Sequence, residues 1–175
     1  MKMLKMGLQI LGILVLIPLV ATATLRFEYR NADGPSILFP GGELVSGELH
    51  TGEEPDWRFT DDVGVVELQL EDPLSSRRLW IIEYDGRIYV PSGYMASTLG
   101  RIWKHWAVHA DGGDGLAVLR IDDGTRYERR LQRVHEGPEL DGIAAKMASK
   151  YGAPVTRADI EAGNTWIFEL EPREG

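Results

Sequence analysis

The chain has 175 residues, 43% of them apolar, a formal net charge of -8 at pH 7 and no cysteine. That length supports one compact domain plus an appendage, and the apolar share excludes a disordered chain. The lack of thiols excludes disulfides, thiolate metal sites, a cysteine nucleophile and a lipoprotein anchor. The acidic balance excludes nucleic acid as a general partner and leaves anions only a local basic patch.

The N-terminus carries Lys2 and Lys5, then an uncharged run from Met6 to Leu25. About twenty residues make a helix of roughly 30 Å, enough to cross a bilayer. Residues 1–25 therefore read as a membrane anchor or a signal segment. Ala21-Thr22-Ala23 resembles a signal-peptidase site, whereas the long apolar run and a Pro18 tolerable in lipid favour an uncleaved anchor. A buried soluble helix is the third alternative. Lys2 and Lys5 favour a cytoplasmic N-terminus, so either membrane reading expects a single pass with the C-terminal domain outside the cytoplasm, periplasmic or extracellular.

Residues 26–62 read as an irregular linker leading into the fold. Short apolar pieces at Ile37-Phe39 and Leu44-Val45 flank a reversal at Pro40-Gly41-Gly42, and Trp57 with Phe59 is expected to close one end of the core. From Val63 the apolar period becomes two. Val66, Leu68 and Leu70 alternate with Glu67 and Gln69 as a half-buried strand, and Asp72-Pro73 turns the chain. Arg77–Tyr84 and Arg87–Val90 read as strands joined at Asp85-Gly86, a strong hairpin signal. A helix over Ala96–Val108 follows, with Ser97 or Thr98 as its N-cap. Strands Leu116–Ile121 and Thr125–Val134 form a second hairpin around Asp122-Asp123-Gly124. A helix over Pro138–Tyr151 stops at Gly152, a short one runs from Thr156 to Gly163, and Thr165–Glu171 is the last strand. Six or so antiparallel strands with helices between them make residues 63–175 mainly β with helices (α+β), folded as a small barrel.

On the helix after the first hairpin, Leu99, Ile102, Trp103 and Trp106 share one stripe, expected against the barrel. Arg101, Lys104 and His105 share another face. The plain reading is a packed helix with a solvated basic side. The functional reading adds the hydroxyls of Ser92, Ser97 and Thr98 at the helix start and makes the corner an anion site. His105, His109, Asp111 and Asp114 lack the full spacing of a calcium loop and read as a loop. Arg126, Arg129, Arg130 and Arg133 read as partners for nearby carboxylates. Glu67, Glu83 and Glu128 read as solvent-side residues with no acid–base pair among them, and Ser75-Ser76 has no histidine partner. Trp57, Trp80 and Trp166 read as core.

Asp85, Gly86, Ile88, Tyr89, Val90, Ser97, Arg101, Trp103, Val118 and Gly124 follow an order that resembles the split β-barrel proteins. These include pyridoxamine-phosphate-oxidase-like flavoproteins and deazaflavin-dependent nitroreductase or quinone-reductase relatives. The resemblance spans Asp56–Val134. It implies an antiparallel split barrel and an FMN or deazaflavin cofactor, with the phosphate near Ser92, Ser97 and Arg101. Arg77 or Arg78 would face the same cleft, Trp103 or Tyr94 would wall the ring, and the subunits would form a homodimer. The implied activity is a reductase of a quinone-like or nitro substrate that needs no catalytic side chain. Two features depart from the pattern: "EDPLSSRR" replaces the Gly-rich, Lys-containing cofactor motif, and the domain is expected to be exported. The alternative is therefore a non-catalytic envelope module that binds a small molecule or partner and has lost the cofactor.

Overall fold

The computed structural model describes residues 2–122 and 124–173. Asp123, expected in the second hairpin turn, lies outside the described residues. The first element is helix α1 (Lys2–Tyr29), which extends about one turn beyond each end of the apolar run that specifies it. Its membrane-length segment, Lys5–Tyr29, has a mean hydropathy of 2.3, and none of its apolar window is buried against the rest of the chain.

A 3₁₀ turn at Trp57–Asp62 precedes β1 (Val66–Leu70) and β2 (Ser75–Leu79). The hairpin of β3 (Ile82–Tyr84) and β4 (Arg87–Ser92) follows, then helices α2 (Thr98–Trp103) and α3 (His105–Gly112). The chain finishes with β5 (Leu116–Arg120), β6 (Arg126–Val134), α4 (Leu140–Tyr151), α5 (Arg157–Glu161) and β7 (Trp166–Pro172). Both residues of the Asp85-Gly86 turn have positive φ, 54° and 75°, as a two-residue hairpin requires. Glu83 accepts the Gly86 amide at 2.9 Å and is buried, so it closes this turn instead of facing solvent.

Two expectations about continuity are corrected. The single strand expected over Arg77–Tyr84 breaks at Trp80-Ile81 into β2 and β3, which lie at opposite edges of the sheet. The helix expected over Ala96–Val108 is two short helices, because Lys104 leaves helical geometry at φ -101°, ψ 35°.

All seven strands form one antiparallel sheet in the order β2-β1-β5-β6-β7-β4-β3. A flat sheet of this size would hold its edges roughly 29 Å apart at about 4.8 Å per strand. Yet β2 and β3 are joined across Trp80-Ile81 alone, and three Cα steps span at most about 11 Å. The sheet must therefore roll until its edges nearly meet, which makes it a split β-barrel.

Alternation then sorts the side chains. Leu68, Leu119, Ile88 and Phe168 point into the roll with Trp57 and Trp106. Tyr89 and Ile167 point outward, where α4 and α5 cover them with Ile143, Met147 and Ile160. Trp80 is not core: it is 41% exposed and stacks flat on Tyr151 at 4.5 Å. The outer face of β1 is covered by the preceding segment, through the Leu44 amide on Gln69 Oε1 at 2.7 Å.

Candidate functional site

Strand β4 ends at Ser92, and the chain turns sharply through Tyr94, whose φ of 66° is the left-handed region. Such a conformation in a bulky residue costs on the order of 1 kcal/mol and must be held by its surroundings. The Met95 amide donates to the Asn164 carbonyl at 2.9 Å, and the Met95 side chain is fully buried in the barrel core. Ser92 is buried and its hydroxyl lies 3.3 Å from the Met95 sulfur. Ser97 caps α2, accepting the Gly100 amide at 3.0 Å and donating to the Tyr94 carbonyl at 3.3 Å. Arg101 donates through Nε to the Met95 carbonyl at 2.8 Å. This corner is built by its own side chains, and Met95 is the plug that no periodicity in the sequence announces.

The apolar stripe of the helix does not lie against the barrel. Of its four members only Trp106 is buried, on Phe168 at 5.6 Å. Leu99 is 79% exposed and Trp103 81%, with Ile102 and Tyr94 exposed as well. The kink at Lys104 is the physical reason: it turns α2 away, so spacing counted through Trp103 and Trp106 no longer defines one face.

Around the kink lies a set of cations. The Arg77 guanidinium sits over the Trp106 ring at 5.6 Å, with its Nε buried and unpartnered. Burial lowers Arg77 to about 10. Lys104 is lowered by burial and then by Arg77. His105 is lowered by burial first, then by Arg77, with His109 and Arg26 adding to the effect. Among the described residues no carboxylate pairs with Arg77, Arg101 or Lys104. The contrast with the rest of the barrel is sharp. Arg120 is held by Asp33 and Glu67 at 2.7 Å each, Arg129 by Glu54 at 2.8 Å, and Arg133 by Asp111 at 3.0 Å.

Of the two candidate strand arginines, Arg77 faces the helices, whereas Arg78 is exposed in register with Glu67. Strand alternation separates the pair, but only the packed Trp106 tells which side of β2 meets α3. His105 and His109 approach edge to face at 5.7 Å, and no metal-binding group of three is present among the described residues.

Two surface cavities lie elsewhere. One of about 400 Å³ is lined by Glu43, Gln69, Glu71, Arg126 and Glu128. The other, of about 240 Å³, lies between Asp111, Asp114, Arg130 and Arg133. The buried Arg129 that faces neither cavity is sandwiched over Trp57 and Tyr127, at 4.9 and 5.4 Å.

No family model and no curated protein matches the chain. Among solved structures it is similar to a conserved hypothetical protein from Mycobacterium tuberculosis, at 12% identity and a TM-score of 0.46, over 73% of this chain and 84% of that one. It is also similar to ChuZ from Campylobacter jejuni, at 11% identity and a TM-score of 0.43, over 66% of this chain and half of that one. A candidate pyridoxamine 5'-phosphate oxidase from Listeria innocua is similar at 8% identity and a TM-score of 0.41, over 63% of this chain and 85% of that one. Likeness at this level carries nothing about ligand or activity.

Proposed function

We propose that the chain is a membrane-anchored envelope domain that uses its barrel to bind a phosphorylated small molecule. The observation that carries this reading is that Arg77 and Lys104 at the kink, and the exposed Arg101 one turn earlier on α2, have no carboxylate partner among the described residues of a chain with net charge -8. Burial opposes the charge of Arg77 and Lys104, and a bound phosphate offsets that cost through charge-assisted hydrogen bonds. Arg101 keeps its terminal guanidinium nitrogens available, since only Nε is engaged. The anchor reading rests on the length and apolarity of α1 and on the lysines before it.

The corner suits the phosphate of FMN but not its ring. Ser92 and Ser97 have their hydroxyls engaged within the chain, Met95 fills the space beneath, and neither cavity adjoins α2. No redox step is therefore assigned to one chain. This supports a binding module over a reductase.

The reductase reading keeps one supporting observation. Tyr94 and Trp103 present bare aromatic faces beside the cations, and a second copy laid over them would complete a slot for a flavin or deazaflavin. The ring would then supply hydride transfer to a quinone-like or nitro acceptor.

Both readings are tested on the full chain in detergent by titrating inorganic phosphate and FMN against thermal stability and visible absorption. Binding of both ligands, lost in Arg77→Met/Lys104→Met, is the expected result. A protein that binds neither refutes the anion site. A yellow protein that dimerises as FMN binds favours the reductase.

A further inference from the structure

Helix α1 has no tertiary cover over its apolar length, and the rest of the chain carries two more exposed apolar sets. The first is a tight turn. Ser36 closes it by accepting the Phe39 amide on Oγ at 2.8 Å and donating its own amide to the Phe39 carbonyl at 3.0 Å. This closure thrusts Ile37 and Leu38 outward, 84% and 83% exposed. Phe39 itself stacks on Tyr29, the last residue of α1, at 5.9 Å and 10°. The second set is Leu99, Ile102 and Trp103 on α2. The turn is tied to that corner through β2, because Gly41 exchanges backbone hydrogen bonds with Ser76 at 2.9 Å each, and the adjacent Arg77 lies over Trp106 on α3. The first set therefore sits at the end of α1, just past Leu25, and β2 links it to the corner that carries the second.

We infer that the barrel lies on the membrane that α1 crosses, with Ile37-Leu38 and the Leu99, Ile102 and Trp103 face of α2 set into the phospholipid interface. Exposed apolar side chains this concentrated mark a contact surface. Trp103 is an amphipathic ring of the kind that settles at headgroup depth, and Arg101 and Lys104 beside it can extend their charges to the headgroups.

Charge chooses the occupant. A second copy packed symmetrically on α2 would bring the unpaired Arg77, Arg101 and Lys104 of two chains together, and like charges repel. Phospholipid headgroups bring phosphates to those same cations. The lipid contact deepens the anion-binding reading and rests on it for the cations, but the apolar docking stands on the exposed residues alone.

The experiment uses the full chain reconstituted in phosphatidylcholine vesicles with acyl chains brominated near the headgroup end, with and without phosphatidylglycerol. Helix α1 contains no tryptophan, so every indole signal comes from the domain. Bromine is expected to quench part of the emission, more so with phosphatidylglycerol, and Trp103→Phe should remove most of that quenching. Ile37→Asp/Leu38→Asp should reduce it while the thermal transition in detergent stays in place. Emission that bromine does not quench, or quenching that survives Trp103→Phe, overturns the inference. So does a dimer in vesicles with Trp103 shielded from bromine, which assigns the face to a second copy. The phosphate titration in detergent separates the two ideas, since retained phosphate binding without quenching removes the docking and leaves the anion site.

Discussion

Gly100 is the residue on which the α2 corner turns. A Cβ there would stand 1.7 Å from the Tyr94 carbonyl oxygen and 2.9 Å from Ser97 Oγ, so the first turn of α2 could not close on the strained Tyr94. Gly100→Ala should cost about 1–3 kcal/mol, read as a lowered denaturant midpoint. Arg77 makes the opposite case. Its guanidinium is held on Trp106 without a carboxylate, and burial opposes its charge. Arg77→Met keeps the apolar contact and removes the charge, so stability should change by less than about 1 kcal/mol while phosphate binding is lost. A loss of several kcal/mol in urea would make the guanidinium structural. His105 adds a pH dependence. Its folded value is lowered from 6.5 by burial and by Arg77, so below about 6.5 the unfolded chain takes up a proton that the folded chain resists. Stability should therefore be full above that pH and fall as the pH drops toward the lower folded value. Denaturant titrations at pH 7.5 and 5.5 should show this difference, and His105→Asn should shrink it.

At the scale of elements, the decisive join is the Trp80-Ile81 connection that carries the chain from one sheet edge to the other. The end of α4 holds it. Tyr151 accepts the Ile81 amide at 3.0 Å, donates toward the Ile81 and Gly64 carbonyls at 2.8 and 2.9 Å, and lies flat on Trp80. Lys150 adds Nζ bonds to the Thr60 and Ile81 carbonyls at 2.6 and 2.9 Å. Tyr151→Phe keeps the stack but leaves the amide of the buried Ile81 without its acceptor, while Lys150 still reaches the Ile81 carbonyl. It should cost about 1–3 kcal/mol in equilibrium unfolding, with faster amide exchange at Ile81. The elements also mark where spacing misleads. Apolar residues at helical intervals from Leu99 to Trp106 read as one buried stripe, but a single non-helical residue, Lys104, divides them between solvent and core. Arg77–Tyr84 failed in the same way, because a local pattern does not say which sheet edge each half will meet.

At the scale of the whole molecule, the barrel and α1 meet at one small junction. The segment after α1 is tied back by Arg120, which bridges Asp33 and Glu67 and reaches Ser46 Oγ at 2.8 Å. If α1 is a retained anchor, the protein should stay with membranes after alkaline extraction, and the intact mass should correspond to the full chain. A mass beginning after Ala23 would make the segment a signal and free the domain from the membrane.

The sequence by itself determined the local and additive features. The length and apolarity of α1 follow from summed composition. The Asp85-Gly86 hairpin, the alternating strands and the Thr156–Asp159 capping box follow from neighbours a few residues apart. Only the tertiary structure decided that Arg77 is the arginine meeting Trp106, that Met95 fills the corner beneath Ser92, and that Trp103 is bare while Trp106 is buried. Those outcomes depend on how a seven-stranded sheet rolls and where a helix kinks, which bring together residues far apart in the chain and so leave no period along it.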